Sequence, residues 1–210
     1  MQLKCLFLNK NGLWQGQLSV PGWGQPGLCV IQGGIGGSDQ NPLVIGAFQL
    51  AIEAASRGRR VWFISVKPVE KVPPEIEPPC KQILQLITFI YLSDFARLMR
   101  HLNGIHKWKH LPSVVVVNGF DAYCDQSGCG LSSRGAAFLM ATLLDCLRFL
   151  GKKQACSSVL VISCSKSALS QAAPADSVKV LVDMYLDFFF PPVEDSAGLL
   201  ERIKALDLLN

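Results

Sequence analysis

The sequence predicts an α/β fold, with a mostly parallel central sheet and helices on both faces. Three observations predict it. Runs such as RVWFISV (60–66), SVVVV (113–117) and SVLVISC (158–164) are continuously apolar rather than alternating, as strands buried on both faces are. Amphipathic helical segments separate them, so each connection between strands reads as a crossover. The first such run, LCVIQ (28–32), leads into Gly33-Gly34-Ile35-Gly36-Gly37-Ser38-Asp39-Gln40 and then into a helix. That is the strand, glycine loop and helix order of a phosphate-binding loop.

In chain order, residues 28–32 form the first strand. Asn41-Pro42 is an N-cap and first-turn pair that launches a helix to about Arg57, with Gly58 at its end. Residues 60–66 are the second strand, and 68–79, with five prolines, are a loop. Residues 83–92 (ILQLITFIYL) read as a third strand. Ser93 or Asp94 then caps a helix that runs to Asn103 and stops at Gly104. The fourth strand is 113–117. Ser132 or Ser133 caps a long helix to Leu150, ended by Gly151, and the fifth strand is 158–164. In the tail, 185–190 read as a further strand. Residues 196–209 read as an amphipathic helix with Leu199, Leu200, Ile203 and Leu206 on one side. The chain divides into an N-terminal extension (1–26), a core (27–190) and a C-terminal amphipathic helix (191–210).

A chain of 210 residues is long enough for one domain with a substantial core. Half of it is apolar, 17% is charged, and the mean hydropathy is +0.30. No apolar run reaches the ~20 residues that span a bilayer; the best, 136–150, carries Asp145 and Arg148. Gln2, Lys4, Asn9, Lys10 and Asn11 interrupt any signal-peptide core, so no membrane association is expected. The apolar excess fits either a protein–protein interface or a dense α/β core. The eight cysteines include no C-x-x-C pair and read as reduced, intracellular thiols. Cys124 and Cys129 have no second ligand pair nearby, so no metal is expected.

The glycine loop has lost its charged chemistry. A working loop, G-x-x-x-x-G-K-[ST], cradles phosphates with backbone N–H groups, places a Lys on them and a hydroxyl on Mg²⁺. With Gly33 opening the motif, Ser38, Asp39 and Gln40 occupy the Gly, Lys and Ser/Thr places, and no Lys or Arg occurs over 28–56. An Asp there repels phosphate. A second landmark is VVVV (114–117), whose strand tip should carry the acid that holds Mg²⁺. The tip residue is Asn118, an amide without charge for a hard cation. Asp121 reads either as a partial substitute or as a solvated loop residue. Gly33, Gly34, Gly36, Gly37, Ser38, Asp39, Gln40 and Asn118 thus form a degenerate nucleotide site. No catalytic residue and no cofactor are expected, with ATP binding the open alternative and a plain chain turn the other. A dinucleotide fingerprint fits poorly, because Asp39 stands at its third glycine and the second strand ends at Lys67 rather than an acid.

These elements, with the local sequences IEAA (52–55), VWFISVKP (61–68) and VVVVNGFDAY (114–123), resemble the RecA-type recombinase paralogues over about residues 27–166. The likeness is greatest to the SWIM-associated, ATPase-like subunit of Shu-type complexes. The resemblance implies a RecA-like P-loop NTPase core in a nuclear protein of homologous-recombination DNA repair. It implies pairing with a SWIM-domain zinc protein as an obligate heterodimer, weak to moderate binding of single-stranded DNA, and support of strand-exchange recombinase filaments. The zinc belongs to the partner. Family members keep a phosphate-loop lysine and a strand-tip acid where this chain has Asp39 and Asn118. A non-catalytic mediator is therefore expected, the alternative being a DNA-stimulated ATPase with an atypical site.

Two further features bear on that expectation. Phe48-Gln49-Leu50-Ala51 matches F-x-x-A, the motif by which the recombinase links to neighbours and mediators, so Phe48 and Ala51 read either as an anchor or as core at helical spacing. In a RecA-type fold the loops 121–134 and 165–176 face DNA, and their only cations are Arg134 and Lys166. A denser cluster is Arg97, Arg100, His101, His106, Lys107, Trp108, Lys109 and His110. Trp108 between Lys107 and Lys109 suits base stacking beside phosphates, or else the cluster is a solvated helix end before a buried strand. A net charge of +4 and a pI near 8.6 give only weak, salt-sensitive attraction for a polyanion. Lys152-Lys153 reads as favourable charge at a helix C-terminus.

Overall fold

The computed structural model describes residues 2–9, 12–19, 27–34, 42–69, 72, 76–124, 133–155, 158–165 and 188–190. Its elements are β1 (Gln2–Asn9), β2 (Gly12–Ser19), β3 (Gly27–Gly34), α1 (Pro42–Ser56), β4 (Val61–Ser65), α2 (Lys81–Leu84) and β5 (Ile87–Tyr91). There follow α3 (Phe95–Asn103), a 3₁₀ turn (Ile105–Lys107), β6 (Val114–Asn118), α4 (Phe120–Cys124), α5 (Ser133–Gln154), β7 (Ser158–Ser165) and β8 (Phe188–Phe190). The strands form one sheet in the order β2-β1-β8-β3-β7-β6-β4-β5. All pairings are parallel except the β1–β2 hairpin.

The apolar strand runs are continuous because both faces are covered. Val61, Phe63, Val114, Val116, Val159 and Val161 point to one side, where α1 lays down Ile45, Phe48, Leu50, Ala51, Ala54 and Ala55. Their neighbours Trp62, Ile64, Val115, Val117, Leu160 and Ile162 point to the other, against α3, α4 and α5. A side-chain period of two divides each strand between two cores. The α/β fold, with its mostly parallel sheet and helices on both faces, is the one the sequence predicts.

Helix ends follow their local chemistry. Asp94 caps α3 by accepting from Arg97 N at 2.8 Å, which holds its carboxyl below the usual range, with a further contribution from the Ser93 hydroxyl. Gly58, at φ +78°, closes α1 in the left-handed region that glycine enters without strain.

Several expected boundaries are corrected. The segment 83–92 is not one strand. Residues 81–84 turn as α2, because Ile83 and Leu86, three apart, both pack on the α1-side core, and the strand begins only at Ile87. The long helix does not stop at Gly151 but runs to Gln154, whose amide donates to Pro112 O at 2.7 Å; Ala155 takes the left-handed exit at φ 52°. The loop expected from Asp121 begins instead as α4. Of the strand expected at 185–190, Phe188–Phe190 is described, paired between β1 and β3. The helix expected at 196–209 lies outside the described residues. The strands β1 and β2, which the sequence does not predict, pair antiparallel, and β1 joins the sheet through β8.

Candidate functional site: strand tips and a basic edge

The carboxyl ends of β3, β7, β6 and β4 stand side by side. Gly33 and Gly34 pair with Cys164 and Ser165, and Asn118 pairs with Ser163 on one side and Ser65 on the other. One strand, β7, separates the glycine strand from the Asn118 strand, so the two are about 10 Å apart. Gly36, Gly37, Ser38, Asp39, Gln40 and Lys166 lie outside the described residues.

At the tip of β6 the amide is closed into a polar network. The Ser163 hydroxyl donates to Asn118 Oδ1 at 2.7 Å, and Asn118 Nδ2 donates to Ser65 Oγ at 3.3 Å. Gly119 N in turn donates to Ser163 Oγ at 2.9 Å. Both serines are buried. Gly119 has φ +78°, the left-handed step that turns the chain into α4. Asp121 sits in the first turn of α4, where a carboxylate meets the positive end of the backbone dipoles. The arrangement satisfies neutral donors and acceptors and gathers no carboxylate at the place where a metal-binding acid would stand.

On the α3–α5 side of the sheet, two buried thiols and a buried phenol are held protonated. Burial pushes the Cys124 and Cys146 thiols up to about 12, which leaves them protonated and inert. The Tyr123 phenol is likewise raised by burial and then by Asp94, and donates to Leu92 O at 2.9 Å. No group of three or more His, Cys, Asp or Glu among the described residues could hold a metal, and no described helix could cross a membrane.

Phe48 and Ala51, candidates for a recombinase anchor, are in the core. Phe48 is 2% exposed and Ala51 is fully buried, with the Phe48 ring 5.8 Å from Phe89 and 6.0 Å from Phe63. Neither side chain can reach a partner in this fold, so the packing alternative is the one the structure adopts. The reason is the face of α1 they occupy, which lies on β4, β5 and β6.

The candidate DNA residues separate to opposite ends. Arg134, exposed, stands at the start of α5 near the strand carboxyl ends. Lys107, Trp108 and Lys109 stand at the other end, just before β6, and all three are exposed. Trp108 is held edge-on by buried Trp62, with centroids 5.2 Å apart, and by His101, also at 5.2 Å. Arg97 belongs to the far end of α3, paired with Asp94 at 3.4 Å.

His101 packs against both indoles, which also meet each other, with its buried Nε2 unbonded, and burial lowers its pKa below 6.5. The unfolded chain therefore takes up a proton near pH 6.5 that the folded chain refuses. Stability is full above that pH and is lost as pH falls from there through the folded value. Thermal melts at pH 7.5 and 5.5 are expected to show a larger loss for the wild type than for His101→Phe. Equal losses would mean that His101 is solvated when folded.

No family model and no curated protein matches the chain. Among solved structures, a DnaB-like replicative helicase, in a study of its interactions with primase, aligns over 67% of this chain at 8% identity and a TM-score of 0.36. The chain spans 39% of that helicase. An NADH-dependent reductase complexed with NAD aligns over 87% of this chain and 74% of its own, at 13% identity and a TM-score of 0.39.

Proposed function

We propose that this chain is a non-catalytic, RecA-like mediator of homologous-recombination DNA repair. It acts in the nucleus, paired as a heterodimer with a SWIM-domain zinc protein, and supports recombinase filaments on single-stranded DNA. The pathway rests on the sequence resemblance carried by IEAA, VWFISVKP and VVVVNGFDAY. The observation that favours a mediator over an ATPase is Asn118, whose amide is bonded to Ser65 and Ser163 where a metal-holding carboxylate would stand. Asp39 in the place of the phosphate-loop lysine favours it too. Contact with the recombinase does not run through Phe48 and Ala51, which are buried.

The test is co-expression with a SWIM-domain protein, followed by ATP turnover of the purified pair with and without single-stranded DNA. A zinc-containing complex with background turnover is expected. Turnover that disappears when Gly37 or Asp39 is changed would overturn the non-catalytic reading, and failure to co-purify would overturn the pairing.

A further inference from the structure

We propose that the edge of the sheet where the parallel strands begin, at the opposite end from the glycine loop, is the contact surface for single-stranded nucleic acid. This rests on the DNA-binding part of the function proposed above and assigns it a place.

The topology assembles this surface from segments far apart in sequence. Helices α1, α3 and α5 each run back against the strands and end at the edge where β4, β6 and β7 begin. Polar contacts tie the resulting segments together around the loop before β6. Arg60 Nη1 lies 3.4 Å from His110 Nδ1, and Arg59 Nε donates to Ser113 Oγ at 3.2 Å. Gln154, next to Lys152 and Lys153, bonds Pro112 O at 2.7 Å. Arg60, Lys107, Lys109, Lys152 and Lys153 are all exposed around this loop.

Among the described residues around this loop, positive charge predominates. No Asp or Glu occurs between Arg97 and Phe120, whereas all three histidines of the chain do. Glu53, near the end of α1, is taken up by Arg57 at 3.0 Å, and Asp145 by Arg148 at 2.9 Å. At the opposite edge, Lys67, Arg97 and Arg134 share the surface with Asp94 and Asp121. Among the described residues the charge is thus distributed unevenly, and a polyanion meets it best at the strand-start edge. Helix-dipole compensation accounts for Lys152 and Lys153 but not for Arg60 and Lys109, which lie outside any helix.

Trp108 decides the kind of polyanion. It is 42% exposed and flanked in sequence by Lys107 and Lys109, while Trp62 and His101 hold its ring. A ring already fixed by its neighbours loses little side-chain freedom on binding. Aromatic stacking requires an unpaired base, with its phosphates within reach of flanking cations, and duplex bases are not available for it.

The full chain, with its partner if co-purified, is titrated against labelled oligo-dT over a range of salt. The double variants are Lys107→Ala/Lys109→Ala and Lys152→Gln/Lys153→Gln, with Lys67→Ala as the control at the other edge and thermal melts to establish folding. Each double variant is expected to weaken binding roughly 10–30-fold near 0.1 M salt and to lower the log–log salt slope by about 1.4. Lys67→Ala is expected to bind as the wild type does. Unchanged binding in both double variants, with the wild type binding, would overturn this surface and leave the DNA-binding reading standing. No binding by the wild type would overturn both. Tighter binding to a duplex of the same length would overturn the single-strand assignment.

Discussion

Phe48→Ala is expected to cost about 3–5 kcal/mol of folding stability, the range for removing a buried aromatic ring. Set against the 5–15 kcal/mol that holds a typical domain, that brings the chain close to unfolding. The ring stacks on Phe89 at 30° and meets Phe63 edge-on at 81°, so its loss removes two aromatic contacts as well as its buried area. The site cannot collapse to fill the hole. Of its neighbours on α1, Ala47, Ala51, Ala54 and Ala55 are too short to reach in, while Ile45, Leu50 and Ile52 are already packed in the same cluster, and the sheet beneath is rigid. Phe48→Leu, which restores most of the volume, is expected to lose markedly less. Denaturant midpoints of the purified chain measure both. An exposed anchor would behave in the opposite way, with the midpoint unchanged in Phe48→Ala and only partner binding lost; that outcome would refute the core assignment.

The same pair of residues shows where sequence reading stops. A Phe and an Ala three apart are F-x-x-A whether the helix face meets a partner or a sheet, because both uses need the same helical spacing. Only the position of α1 over β4, β5 and β6 separates them. The strands β3, β4, β6 and β7 were legible because a β-branched run such as VVVV suits a covered parallel sheet, whereas β1 and β2 carry no such run. ILQLITFIYL was not, since a short apolar run suits helix and strand alike, and burial of Ile83 and Leu86 on one side decides for a turn of helix. Gly151 looked like a stop, but the buried Leu150 and the Gln154–Pro112 bond carry α5 one turn further.

At the strand tips, the loss of charge at Asp39 and Asn118 was readable from spacing alone. The partners of Asn118 were not, because Ser65 and Ser163 lie 53 and 45 residues away and become neighbours only through the strand order. A signal was nonetheless present. VWFIS, VVVVN and VLVIS each place a small polar residue after four apolar ones, and the register sets those residues side by side. The basic edge was legible only in part. Its 97–110 stretch is contiguous, whereas Arg60 and Lys152-Lys153 join it only once the crossovers are drawn.

Asn118→Leu is expected to destabilise the chain by about 1–3 kcal/mol, because the buried Ser163 hydroxyl loses its acceptor and buried Ser65 Oγ loses its donor. Ser65 is 4% exposed and Ser163 is 1% exposed, so water does not replace the lost amide. Leu fills a similar volume, which makes the loss one of hydrogen bonds rather than of packing. Asn118→Asp provides the contrast. A carboxylate accepts from both hydroxyls, since each serine rotor is free to turn its proton inward and Ser163 Oγ still takes the Gly119 N–H. That variant is expected to stay close to the wild-type denaturant midpoint while carrying the acid that a Mg²⁺ site uses. It is nonetheless expected to show no ATP turnover, because residues 28–56 contain no cation to meet the phosphates and Asp39 opposes them. A midpoint for Asn118→Leu equal to the wild type would mean that the tip network does not hold the strands. Turnover in Asn118→Asp would mean that a single charge separates this chain from an active nucleotide site.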